Sequence, residues 1–151
     1  MLKFIEGDLF QSDCHYLVNP VNLKGVQGAG IAKAFKDWAP PQYFKEYVQD
    51  CERVRLQIGQ VTWFTFTRKD RYNTIVNFPT KEDWRNPSLL KYIRPGLDSL
   101  ADLLYNGPGE RSVAMPKLGC GLGGLNWPDV RSIIKKWYRG LEFNLDVEVY
   151  V

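Results

Sequence analysis

Two glycine-rich stretches, each entered from a short apolar run and left into an amphipathic one, constrain this chain more than any other feature. The first reads Asn19-Pro20-Val21-Asn22-Leu23-Lys24-Gly25-Val26-Gln27-Gly28-Ala29-Gly30-Ile31-Ala32. The second reads Pro116-Lys117-Leu118-Gly119-Cys120-Gly121-Leu122-Gly123-Gly124-Leu125-Asn126-Trp127. A strand–loop–helix unit near each end implies parallel strands joined by crossover helices. Strand composition recurs over residues 2–5, 16–21, 60–67, 73–78, 112–116 and 146–151. Helices are predicted over residues 31–38 and 41–53, on either side of the Pro40-Pro41 break, and over residues 88–105 and 128–138. In the third of these, Leu89, Leu90, Ile93, Leu97, Leu100 and Leu104 fall at helical spacing. The order predicts one α/β domain over residues 1–151, three layers deep (α/β/α), around a central mixed, mostly parallel sheet. In such sheets ligands bind beyond the carboxyl ends of the strands, where both glycine loops fall.

Composition narrows the chemistry. The chain has 151 residues, a formal net charge of +3, three cysteines and one histidine. That length suits one domain. The charge permits contact with phosphates without requiring it. With His15 as the lone imidazole there is no zinc cluster, no H-E-x-x-H and no spare base for a nucleophilic Ser or Cys, so no metal and no cofactor are expected. Cys14, Cys51 and Cys120 have no paired spacing, and the first eight residues lack a signal-peptide core. A reduced, cytoplasmic setting without membrane contact is expected. Gly119, Gly121 and Gly124 match G-x-G-x-x-G, but only 27 residues follow, too few for a dinucleotide-binding half. No Lys-Ser/Thr follows either loop at P-loop spacing. What remains is a pair of backbone cradles for phosphate oxygens, suited to a diphosphate gripped from both sides.

Gly7-Asp8 after the first strand, Val18-Asn19-Pro20-Val21-Asn22 running into Gly28-Ala29-Gly30-Ile31-Ala32, and Gly119-Cys120-Gly121-Leu122-Gly123-Gly124-Leu125 together resemble the macrodomain family, modules that bind ADP-ribose. The segment Asn77-Phe78-Pro79-Thr80-Lys81-Glu82-Asp83-Trp84-Arg85 is similar to the DarG-type branch, antitoxin macrodomains that remove ADP-ribose from thymidine in DNA. The resemblance implies that Asp8 accepts from the adenine amino group with Leu9 beside it; the alternative for Asp8 is a helix cap or turn. It implies that Asn19, Gly28, Ala29, Gly30 and Ile31 line one side of the ligand. Pro116, Gly119, Cys120, Gly121, Leu122 and Gly123 line the other, and Asn22 holds the distal ribose. Tyr150 either stacks on adenine or fills the core. Trp84 and Arg85 offer a stacking face and a cation to a single-stranded base, or Trp84 is buried.

Lys81 is the expected catalytic residue, reached from a strand end through Pro79. Glycosidic cleavage develops oxocarbenium character and expels an anionic leaving group, and no carboxylate pair is evident to assist. A cationic lysine serves as general acid or electrostatic stabiliser; a neutral one attacks the anomeric carbon. Two departures stand out. A protein-directed branch of the family carries a catalytic aspartate where this chain has Gly123, and the DarG-type segment often has histidine where this chain has Asp83. The expected activity is a metal-independent DNA ADP-ribosyl hydrolase. Its partners are ADP-ribose, ADP-ribosylated single-stranded DNA and a cognate DNA ADP-ribosyltransferase toxin, and a monomer is the default. The alternatives are hydrolysis of ADP-ribose esters, of protein-glutamate ADP-ribose or of ADP-ribose-1″-phosphate, and a reader that binds without chemistry. Cys120 serves by its size rather than its thiol, His15 is structural or exposed, and Arg131, Lys135, Lys136 and Arg139 form a solvated helix face or, alternatively, a track for DNA.

Overall fold

A computed structural model describes residues 1–151. Six strands form one sheet: β1 (Leu2–Ile5), β2 (Tyr16–Val21), β3 (Thr62–Arg68), β4 (Arg71–Pro79), β5 (Ser112–Pro116) and β6 (Asp146–Tyr150). Their order is β1-β6-β5-β2-β4-β3, all parallel except β3, which pairs antiparallel with β4. The central strands β2, β4 and β5 are largely buried on both faces, whereas the edge strand β3 alternates. Helices α1 (Gly30–Trp38) and α2 (Pro41–Glu52) cover one face; α3 (Ile93–Asn106) and α4 (Trp127–Arg139) cover the other. The larger core lies on the α3/α4 side, built from Val76, Phe78, Leu97, Leu100, Ile134 and Trp137 among others. No helix is long and apolar enough to cross a membrane.

Two local expectations are corrected. The helix expected from residue 88 begins at Ile93, after a 3-10 turn over Leu90–Tyr92. Pro95 is the reason: it would fall inside a helix begun at 88, losing a hydrogen bond and clashing, but sits in the first turn of one begun at 93. Strands β3 and β4 run up to a two-residue turn, with Lys69 and Asp70 both left-handed at φ 51° and 60°. That is the primed geometry whose twist suits a hairpin. A short 3-10 helix over Leu9–Gln11 follows β1, its start capped by the Asp8 carboxylate, which accepts from the Phe10 amide at 3.0 Å.

Candidate active site

The carboxyl ends of β2, β4, β5 and β6 all open on one rim of the sheet, and the glycine loops leave from β2 and β5. Helix α1 begins at Gly30 with Ala29 at its N-cap and no side chain capping it. The amides of Gly28 through Ala32 therefore donate to no group of the protein. The second loop is equally open. Cys120, Gly124 and Leu125 donate within the loop, at 2.9–3.2 Å, while the intervening amides of Gly121, Leu122 and Gly123 donate to nothing. Two rows of free N–H groups on one rim form an anion cradle.

The first loop is anchored from below by polar side chains. Tyr43 and Tyr47 lie one turn apart on α2 and are fully buried. The Tyr43 hydroxyl accepts from Asn19 Nδ2 at 2.8 Å and Gln27 Nε2 at 3.1 Å, and donates to Asn77 Oδ1 at 2.6 Å. One hydroxyl thus joins β2, β4 and the loop. The Tyr47 hydroxyl lies 2.8 Å from the Asn22 carbonyl oxygen and 3.0 Å from its Oδ1. Burial holds both phenols far above the ordinary tyrosine range, so they act as neutral hydrogen-bonding groups. Asn22 Oδ1 also accepts from the Lys24 amide at 2.9 Å, and its Nδ2 donates to the Val26 carbonyl at 2.8 Å. The Asn22 amide thus spends most of its capacity folding its own loop, and one Nδ2 hydrogen is left for a ligand.

The second loop is held by its backbone. Gly119 is left-handed, at φ +73°, and an added Cβ would lie 2.6 Å from Leu125 Cδ1. A Cβ on Gly123 would lie 2.3 Å from Ser88 Oγ and 2.4 Å from the Gly119 carbonyl oxygen. The Ser88 amide donates to the Gly123 carbonyl at 3.0 Å, pinning the loop there. Any side chain at position 123 would therefore require the loop and Ser88 to shift. By contrast, a Cβ on Gly121 or Gly124 would meet nothing within 4 Å.

Lys81 joins the two halves. The β2–β4 ladder continues past the strands: Thr80 donates to the Val21 carbonyl at 3.0 Å and Leu23 to that of Glu82 at 3.2 Å. This places Lys81 beside Asn22 across the ladder. Its Nζ reaches the second loop, 3.4 Å from the Leu122 carbonyl oxygen. The loops also meet where Leu122 Cδ1 would lie 3.3 Å from a Cβ on Gly30.

Several expected contacts find other places. Leu9 is buried in the α1/α2-side core, and Asn19 is fully buried beneath the first loop, so their side chains support the rim rather than face it. Asp8 is exposed, with one oxygen spent on its cap and the other unpaired. Tyr150 is half-buried beside Gly7, and its hydroxyl donates to Glu148 Oε1 at 2.8 Å. Burial first, with that carboxylate beside it, lifts the Tyr150 phenol to about 12. Burial opposes ionisation of Glu148, but hydrogen bonds from Ser12 and Tyr150 outweigh it and hold the carboxyl below its ordinary range. Burial raises the Cys120 thiol, which leaves it a poor nucleophile. Trp84 is not core: it is 49 % exposed, with the Arg85 guanidinium 5.0 Å from its ring and paired with Asp83 at 3.6 Å. His15 is far from the rim, within 2.9 Å of Thr74 Oγ1. Gln27, Tyr43, Tyr47, Asn77 and Ser88 were not expected at the site. The signals available were a Gln among glycines, an Asn within the apolar run Ile75-Val76-Asn77-Phe78, and two tyrosines at i, i+4.

Comparisons with known proteins bear on the fold and the family. The sequence profile of the Macro domain family matches residues 18–134. A Thermus aquaticus protein named DNA ADP-ribosyl glycohydrolase is 42% identical over 100% of this chain and 41% of its own length. The chain thus spans about two-fifths of the length of the relatives named DNA ADP-ribosyl glycohydrolase that it matches. The solved macrodomain of Mycobacterium tuberculosis DarG superposes with a TM-score of 0.91 at 39% identity, over 99% of this chain and 97% of that one. Thermosipho africanus DarTG, solved in complex with ADP-ribose, superposes with a TM-score of 0.86 at 32% identity, over 99% of this chain and 41% of that one.

Proposed function

The chain belongs to the macrodomain family, and we propose that it is a hydrolase that removes ADP-ribose from thymidine in single-stranded DNA, with Lys81 as the catalytic residue. The observation that carries this reading is the Lys81 ammonium, 3.4 Å from the Leu122 carbonyl oxygen of the second glycine loop, at a site where position 123 carries no carboxylate. The free amides of Gly28 to Ala32 and of Gly121 to Gly123 bind the diphosphate from two sides. Asp8 and Tyr150, three and one strands from β2 and β5 respectively, receive the adenine. The Asn22 Nδ2 hydrogen not used by Val26 holds the distal ribose. The one thymine nitrogen not already joined to deoxyribose is the leaving group. As its bond to the anomeric carbon breaks, the Lys81 ammonium gives that nitrogen a proton. Water adds to the anomeric carbon, and the proton it loses restores the ammonium. Exposed Trp84, backed by Arg85, offers a stacking face to the departing base or its neighbour.

This reading implies as partner a DNA ADP-ribosyltransferase, the class of enzyme that makes the linkage. The test is release of ADP-ribose, without added metal, from three substrates offered in parallel: ADP-ribosyl-thymidine in single-stranded DNA, glutamate-linked ADP-ribose on protein, and ADP-ribose-1″-phosphate. Turnover of the DNA substrate at least a hundredfold faster than the others is expected. Faster turnover of the ester or the phosphate would assign the site to that substrate instead.

A further inference from the structure

A second groove, of about 470 Å³, lies outside both glycine loops, between the edge strand β1 and helix α4. Its floor is aromatic: Phe4 and Trp127 meet edge to face with centroids 6.0 Å apart, and Val151 closes the end nearest the ligand rim. One wall is cationic. Arg131, Lys135 and Arg139 lie four residues apart on α4, so their charges repeat about every 6 Å along the helix, commensurate with successive phosphates of an extended single strand. The Arg131 guanidinium lies 4.6 Å from the Phe4 centroid and Lys135 Nζ lies 6.0 Å from it. None of the three has a carboxylate within 4.0 Å, although Lys33, Arg55, Arg71, Arg85 and Arg94 all do. Cations left unpaired over an aromatic floor combine the two contacts that a single nucleic-acid strand uses, phosphate neutralisation and base stacking.

We propose that this groove is a second binding site of the protein, a track for the unmodified flank of a single-stranded DNA substrate. It rests on the DNA reading of the active site and extends it. The groove borders β1, three to four strands from β2 and β4, which is roughly 14–19 Å at about 4.8 Å per strand. It therefore engages nucleotides several steps from the modified base and leaves the mononucleoside untouched. Substrate length, not ADP-ribose affinity, reads its contribution.

The test compares the wild type with Arg131→Gln/Lys135→Gln/Arg139→Gln, three changes on the surface of α4, after matching thermal melts. Binding of an unmodified single-stranded oligonucleotide is followed across a salt series, and turnover of ADP-ribosyl-thymidine mononucleoside is followed beside it. The expected result is oligonucleotide affinity at least tenfold weaker, with the slope of log K against log salt shallower by about 2, at about 0.7 per cation for single strands. Mononucleoside turnover stays unchanged. An unchanged slope and affinity would overturn the proposal and leave the groove to an acidic protein surface. Loss of mononucleoside turnover would also overturn it, by making these residues part of the active-site scaffold. A wild type that binds the oligonucleotide through the groove but releases nothing from modified DNA would keep the groove and remove the active-site reading.

Discussion

The two glycine loops do the same work by opposite means. The first presents its free amides above a buried polar foundation, in which Tyr43 joins Asn19, Gln27 and Asn77 and Tyr47 holds Asn22. Gly28 is loosely surrounded, since a Cβ there would meet only Val26 Cγ1, at 3.8 Å. The second loop has no such foundation. It is shaped by short-range amide bonds within residues 117–125 and by Gly119 and Gly123 packing against Leu125 and Ser88. One cradle is fixed by what lies under it and the other by what is missing from it. In the first, sensitivity to mutation belongs to the buried side chains and to left-handed Gly25 and Gly30; in the second, to Gly119, Gly123 and left-handed Gly124, with Gly121 the exception.

The largest structural effect is expected in the second loop. Gly123→Ala forces a methyl group against a backbone carbonyl and Ser88 Oγ, and a loss of about 3 kcal/mol, the upper end for overpacking, should appear in urea unfolding. ADP-ribose affinity by calorimetry should fall at least tenfold, because the Gly121–Gly123 amides move with the loop. Next comes Tyr43→Phe, which leaves Asn19, Gln27 and Asn77 without their shared partner. The penalty for unsatisfied buried groups predicts a loss of about 2 kcal/mol in the same assay. A Tyr43→Phe protein as stable as the wild type would show that the first loop does not rest on this foundation. Smallest is Gly121→Ala, where a methyl group meets open space. A stability change within about 0.5 kcal/mol is expected, and a larger one would erase the distinction drawn between the glycines of the second loop.

The sequence carried the loops, the element order and the layer arrangement because each depends on local signals: glycine clusters, apolar periodicity and proline breaks. It misplaced the start of α3 because Leu89 and Leu90 continue the helical period, while Pro95, which decides the matter, acts only once the first turn is known. The polar foundation was hidden for a different reason. Tyr43, Asn77 and Gln27 lie far apart in the chain, and nothing local marks a tyrosine on a helix as the partner of an asparagine on a strand. The place of Lys81 at the rim was legible through the resemblance of residues 77–85 to one branch of the family. Its neighbour Asn22 was legible too, although its amide proved to be engaged mainly with its own loop. The absence of an acid at position 123 was legible in the sequence; that a side chain there would have to displace Ser88 and the loop was not.

Lys81 spans the two loops, contacting the second from a position beside the first, and the account turns on it. The most direct measurement is Lys81→Ala beside the wild type, with ADP-ribose affinity by calorimetry and single-turnover release of ADP-ribose from thymidine-modified single-stranded DNA followed on the same preparations. The account predicts affinity within a fewfold of wild type and release slower by about 10²–10⁴, the range for losing a positioned proton donor. Release at the wild-type rate with binding intact would contradict it and move the chemistry to another group.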